Sequence, residues 1–188
     1  DQEPESIAGT ILFSDLVGFT KLSGKLRAPK LARILNEYLT EMVRVIYEHG
    51  GTIDKFIGDA IMVIFGAPTQ LLPKEQVLKA AACAKAMQSK MDGLNAKWQS
   101  DKIPNLDMRI GVHHGPVVVG TFGCAERSDY TAIGPTVNIA SRIENVCVPG
   151  QVFISGEACD FLPEEMAEEA GEFELKGVSG EHNLYKLV

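Results

Sequence analysis

The sequence predicts one α+β domain with helices packed on an antiparallel or mixed sheet. Three observations carry that prediction. Short apolar runs rich in β-formers alternate with long helical patterns, and glycine or proline punctuates most junctions between them. The 188 residues, 45% of them apolar and 23% charged, suffice for a single sizeable core, with no repeat or low-complexity segment.

The elements follow in order. Residues 7–14 (IAGTILFS) read as a buried strand ended by Asp15, after which Leu16-Val17-Gly18-Phe19-Thr20 turns into a helical region. Leu31, Ile34, Leu35, Tyr38, Leu39, Met42, Val45 and Ile46 recur at helical spacing, and Gly50-Gly51 stops that helix. Residues 52–57 and 60–65 are short strands joined by a tight turn at Gly58-Asp59. Beyond Pro68 and Pro73, residues 75–98 are rich in Ala, Leu, Met and Lys and form a second long helix. Residues 108–120 alternate as a strand or a bent hairpin broken at Gly115-Pro116, and 129–133 are a further short strand. Pro135 opens a helix over residues 136–146, closed by Pro149-Gly150, and strands over 151–155, 173–176 and 182–187 finish the chain.

Composition excludes several classes of function. A formal net charge of −7 argues against non-specific nucleic-acid binding, which rests on a basic face. An acidic chain still binds a polyanion when divalent metals carry the neutralising charge. Cys83, Cys124, Cys147 and Cys159 are widely spaced with no C-x-x-C pair, so reduced structural thiols are expected rather than a disulfide framework or a zinc knuckle. No apolar run approaches the ~18 residues of a membrane span. The acidic opening DQEPES has no signal-peptide pattern. Residues 1–188 are therefore expected to be one catalytic domain, cytoplasmic, cut from a larger protein whose membrane or regulatory parts lie outside it.

Two aspartates stand at strand ends, Asp15 after ILFS and Asp59 in the turn of FIGDAIMVIF. A carboxylate beside a buried strand is costly to desolvate unless paired or bound to a cation. If the two strands are neighbours, both carboxylates reach one sheet edge and can hold two hard cations, with substrate phosphates completing the shell. Asp59 as a plain turn residue and Asp15 as a plain helix cap fit the spacing equally well. Gly18 lets the backbone bend so that N–H groups at the start of the next helix converge on a phosphate oxygen. Asn138 and Arg142, four apart on the helix over 136–146, share one face; arginine suits a phosphoryl oxygen and asparagine a sugar hydroxyl. In isolation these two, like Lys55 before its turn, also fit an ordinary solvated surface.

Jointly the segments resemble the class III nucleotidyl cyclases. The resemblance rests on FSDLVGFT (13–20), DKFIGDAIMVIFG (54–66), RIGVHHGPVVVG (109–120), YTAIGPTVNIASRIE (130–144) and FELKG (173–177), in family order and over nearly the whole chain. It implies a ferredoxin-like α+β sandwich, a homodimer with sites built across the interface, and two divalent metal ions per site, Mg²⁺ or Mn²⁺. It implies that Asp15, Asp59 and the Leu16 carbonyl hold the metals, with Gly18, Phe19 and Thr20 at the substrate. Lys55 and Thr131, helped by the backbone at Ala132, would read the purine. Asn138 and Arg142 would act on the ribose and the developing phosphoryl charge, and Lys176 on the triphosphate tail. The metal pair would come from one subunit and the remaining groups from the other.

The reaction implied is conversion of ATP to 3′,5′-cyclic AMP and pyrophosphate by in-line attack of the ribose 3′-oxygen on the α-phosphorus. Lys55 can donate to adenine N1 and Thr131 can accept from the 6-amino group, whereas guanylyl cyclases of this family typically carry Glu and Cys there. The threonine form resembles the subgroup containing soluble, bicarbonate-responsive adenylyl cyclases, which makes bicarbonate a possible regulator. A guanylyl or mixed-specificity cyclase is the alternative, and a non-catalytic nucleotide-binding domain a further one. One departure is Pro116, where some family members carry a triphosphate-contacting arginine; Lys176 and the metals would then carry that load. His49, His113, His114 and His182 have no partner spacing, and the first three are expected to be structural.

Overall fold

A computed structural model describes residues 3–188. The chain runs β1 (Glu5–Val17), α1 (Phe19–Ser23), α2 (Ala28–Glu48), β2 (Thr52–Ile57), β3 (Ala60–Phe65), α3 (Pro73–Gln99), β4 (Asp107–Gly123), β5 (Ser128–Ile133), α4 (Pro135–Val146), β6 (Val152–Ser155), α5 (Gly156–Cys159), β7 (Ala167–Leu175) and β8 (Val178–Leu187). Strand order is β2-β3-β1-β4-β6-β8-β7, with β5 pairing β4. All these pairs are antiparallel except β4–β6. The first part, β1-α2-β2-β3-α3-β4 with β4 and β3 flanking β1, is the expected ferredoxin-like βαββαβ unit.

β1 is largely apolar because both of its faces are covered. Leu12 and Leu16 pack with Val63, Phe65, Ile110 and Val112 beneath α2 and α3. Ile11 and Phe13 pack with Ile64, Val117 and Val119 on the opposite face, where Ala140 of α4 joins them. Period 2 along the strand thus feeds two cores. α2 buries Ile34, Tyr38, Met42, Val45 and Ile46, the stripe its periodicity predicts. α3 buries a stripe ending at Trp98, whose indole N–H donates to Glu37 Oε1 at 2.6 Å. Among the described residues no helix is long and apolar enough to cross a membrane.

The structure corrects several boundaries. β4 is one continuous 17-residue strand, not a hairpin broken at Gly115-Pro116. Pro116 is opposite Ala8 of β1, between the stretch of β4 paired to β6 and the stretch paired to β5. That gap is where a ladder tolerates a residue lacking an N–H. β7 and β8 are longer than the strands expected over 173–176 and 182–187, and Lys176 lies in the turn between them, beside Gly177 at φ 78°. The short α5 was not expected.

α4 sits unusually close to the sheet. A Cβ on Gly111 would lie 2.3 Å from the backbone nitrogen of Glu144, and one on Gly115 would lie 2.7 Å from Thr136 Oγ1. Both glycines let the helix carrying Asn138 and Arg142 settle onto β4. The histidines expected to be structural are hydrogen-bonded: His114 Nδ1 to Thr10 Oγ1 at 2.8 Å, His113 Nδ1 to Ser155 Oγ at 2.7 Å, and His49 Nδ1 to the Val45 carbonyl at 2.8 Å. The cysteines are free thiols; burial pushes Cys83 up to about 12 and Cys147 up to about 11.

Gly111→Ala is expected to cost roughly 1–3 kcal/mol of unfolding free energy, because backbone rather than a yielding side chain occupies the space. Denaturant unfolding measures it, and an unchanged midpoint contradicts the close approach. A second prediction concerns pH. Burial drives His113 from its ordinary 6.5 down to about 4, despite the opposing charge of Glu157. The folded state therefore refuses a proton that the unfolded chain accepts, so this stability is present above pH 6.5 and is lost as pH falls towards 4. Wild type should lose up to about 3 kcal/mol more than His113→Gln between pH 7 and 4. Parallel stability profiles contradict this.

Candidate active site

The carboxylates expected to share one sheet edge are brought together there. The β2–β3 turn, bent at Gly58 (φ 63°), presents Asp59, whose Oδ2 accepts the backbone N–H of Leu16 at 2.8 Å. Asp15 is the residue before, on β1, directly opposite Arg109 of β4. Arg109 grips it with both prongs: Nε donates to Oδ1 at 3.1 Å and Nη2 to Oδ2 at 2.7 Å. The same guanidinium donates to the Asn145 carbonyl at 3.0 Å and stands 3.5 Å from Glu144 Oε2, an oxygen with no hydrogen-bond partner. Burial above all, then the neighbouring Asp15 carboxylate, pushes the Glu144 carboxyl well above the usual carboxylate range. Arg109 is raised in turn, chiefly by its hydrogen bonds to Asp15.

This arrangement fits cations. Acidic groups from β1, the β2–β3 turn and α4 crowd one place, and Arg109 is the guanidinium that meets Asp15 and Glu144. The oxygen donors are hard, as Mg²⁺ and Mn²⁺ prefer. Among the described residues no group of three or more His, Cys, Asp or Glu is arranged to hold a metal alone. A cation held by Asp15 and Asp59 would therefore need further oxygens to complete its shell. Gly18 next to this edge adopts φ 86°, ψ 1° and starts α1, whose first residues are Phe19 and Thr20.

A second cluster joins Lys55 on β2 to Thr131 on β5. The residue that joins them is Asp54. Its Oδ2 accepts from Thr131 Oγ1 at 2.6 Å and from the backbone N–H of Ala132 at 3.0 Å, while Lys55 Nζ stands 3.5 Å from Oδ1. The Asp54 side chain is 1% exposed and that of Lys55 48%. The β2–β3 register shifts between Ile53 and Lys55, at Asp54, and such irregularities re-aim a side chain.

Asn138 and Arg142 lie one turn apart on α4, and Lys176 lies exposed in the β7–β8 turn. Among the described residues no side-chain hydrogen bond or ion pair joins these three to Asp15, Asp59, Lys55 or Thr131. Sequence reasoning missed Arg109, Glu144 and Asp54. Asp54 had a signal, an acidic residue inside a short apolar strand. Arg109 had none without the β1–β4 register.

Residues 2–188 match the family model described as "Adenylate and Guanylate cyclase catalytic domain". An adenylate cyclase of Anabaena cylindrica is 42% identical over 141 residues, 73% of this chain and 27% of that protein. Adenylate cyclase 1 of Rhizobium meliloti is 34% identical over 137 residues, 73% of this chain and 20% of that protein. The chain thus spans about a quarter of the length of these relatives. The crystal structure of the adenylyl cyclase CyaB from P. aeruginosa superposes with a TM-score of 0.96 at 38% identity, covering 99% of this chain and 96% of that one. The guanylyl cyclase Cya2 superposes with a TM-score of 0.90 at 36% identity, covering 97% and 92%. With the family model matched over nearly its whole length and its fold in agreement, this chain belongs to the class III adenylyl and guanylyl cyclase catalytic domain family.

Proposed function

We propose that this domain converts ATP to cyclic AMP and pyrophosphate as a homodimer, with two divalent cations, Mg²⁺ or Mn²⁺, in each site. The observation that carries the reading is the bond from Leu16 N–H to Asp59, which ties the carboxylate of the β2–β3 turn to the β1 backbone next to Asp15. Asp15, Asp59 and the Leu16 carbonyl would hold the cations. Bound there, cations supply Lewis acidity towards the ribose 3′-hydroxyl and neutralise the triphosphate.

The chain's own groups do the rest. Arg142 donates to the α-phosphate oxygens as charge builds on them, a contribution worth ~10²–10³ in turnover for a donor of this kind. Asn138 orients the ribose so that its 3′-oxygen lies in line with the α-phosphorus. Lys176 and the backbone at Gly18, Phe19 and Thr20 steady the phosphate tail. Lys55 donates to adenine N1 while Thr131, with the backbone at Ala132, meets the 6-amino group. Among the described residues, Arg142, Asn138 and Lys176 make no polar side-chain contact with the carboxylate pair of their own chain, which favours a site completed by a second copy. Large apolar residues beside the base-reading pair, Phe56, Ile57 and Ile133, are 46%, 58% and 46% exposed, as a dimer contact requires. Bicarbonate regulation has no support beyond Thr131 and forms no part of the reading. Cya2 keeps a guanylyl cyclase in view; Lys55 opposite guanine N1–H would place donor against donor.

Asp59→Ala is expected to abolish cyclic AMP formation while leaving a folded protein, and Arg142→Ala to lower turnover ~10²–10³-fold. Mixed in equal amounts, the two variants should recover roughly a quarter of wild-type activity, because half the dimers are mixed and each mixed dimer rebuilds one complete site. Absence of recovery contradicts the shared site.

A further inference from the structure

We propose that Asp54 decides which purine this site accepts, by taking the hydroxyl proton of Thr131 so that threonine offers the base only lone pairs. The inference rests on the reading that Lys55 and Thr131 face the base, and deepens it.

A threonine hydroxyl is ambiguous on its own. It has one proton and two lone pairs, so a freely rotating hydroxyl can accept from an adenine 6-amino group or donate to a guanine O6. Threonine alone is therefore a poor discriminator. The structure removes the ambiguity. Thr131 Oγ1 lies 2.6 Å from Asp54 Oδ2, the length of a charge-assisted O–H···O⁻ bond, and an ionised carboxylate has no proton to give back. The competing acceptor, the Ala132 carbonyl, is 3.4 Å away.

Asp54 is itself held in place. Its Oδ2 also receives the Ala132 N–H at 3.0 Å, so this oxygen is an acceptor on two counts. With the Asp54 side chain 1% exposed, water has little access to compete with Thr131 for this carboxylate. Oδ1 is buried without a hydrogen bond and has the Lys55 ammonium 3.5 Å away. That contact keeps Lys55 near Thr131 while leaving its ammonium protons free for a ligand. One buried carboxylate thus gives both readers a definite polarity, Lys55 as donor and Thr131 as acceptor. Adenine presents the complement, an acceptor at N1 and a donor at its 6-amino group. Guanine presents the reverse at both places, so it meets two mismatches instead of one.

The test is the ratio of kcat/KM for ATP to that for GTP, measured on the dimeric domain with Mn²⁺ and with folding checked by thermal unfolding. Asp54→Ala frees the hydroxyl and should lower the ratio about tenfold, chiefly by improving GTP use. Asp54→Asn keeps an oxygen beneath Thr131 and the Ala132 N–H, and should stay within about threefold of wild type. Thr131→Val, which has no hydroxyl, should also lower the ratio, and in that background Asp54→Ala should add nothing. Should Asp54→Ala not fold, Asp54→Ser replaces it, since its shorter side chain ends before Thr131. A purely structural role lowers both substrates together and leaves the ratio alone. If Thr131→Val changes the ratio but a folded Asp54→Ala or Asp54→Ser does not, this inference is overturned and the base-reading assignment survives. If Thr131→Val leaves the ratio unchanged, the base-reading assignment fails and the inference fails with it.

Discussion

The concentration of negative charge where β1 ends is the constraint on which the site depends. Asp15, Asp59 and Glu144 reach this place from separate elements. Each would be unfavourable there alone, since a carboxylate taken from water needs hydrogen bonds or an opposite charge. The Leu16 N–H satisfies Asp59, Arg109 satisfies Asp15, and Glu144 responds by holding its proton more tightly. The crowding is of little use to the fold. It does suit a place that receives cations together with a polyphosphate.

The remaining groups are placed by ordinary packing. α4 lies against β4 because Gly111 and Gly115 present no side chain to it. That contact carries Asn138 and Arg142 and also brings Glu144 to Arg109. On the other side, the irregularity in β2 at Asp54 leaves Lys55 exposed while tying Thr131 to a buried carboxylate. Both arrangements use the backbone to set a side chain and then charge to lock it. A change in helix docking or strand register would disturb the site without touching any residue proposed to meet substrate.

Much of this was legible in the sequence, for identifiable reasons. Periodicity exposed the buried stripe of α2, and the short apolar run of β1, rich in β-formers, announced a buried strand. Gly58-Asp59 between short strands foretold the turn that delivers Asp59 to the edge. Pro116 misled, because its tolerance within β4 depends on the neighbouring strands leaving a gap there. Lys176 was expected on a strand and lies in a turn. Arg109 and Asp54 escaped because their roles are set by cross-strand register and by a local irregularity. Neither quantity exists until distant segments have paired.

The account stands on one arrangement: cations on the carboxylates of one copy, and the purine on Lys55 and Thr131 of the other. A crystal structure of the domain with Mn²⁺ and a non-hydrolysable ATP analogue tests it most directly, because manganese is located by anomalous scattering. The account predicts manganese between Asp15 and Asp59 of one subunit, with the adenine against Lys55 and Thr131 of its partner. Manganese elsewhere, or an adenine resting on the same subunit that holds the metal, would contradict it.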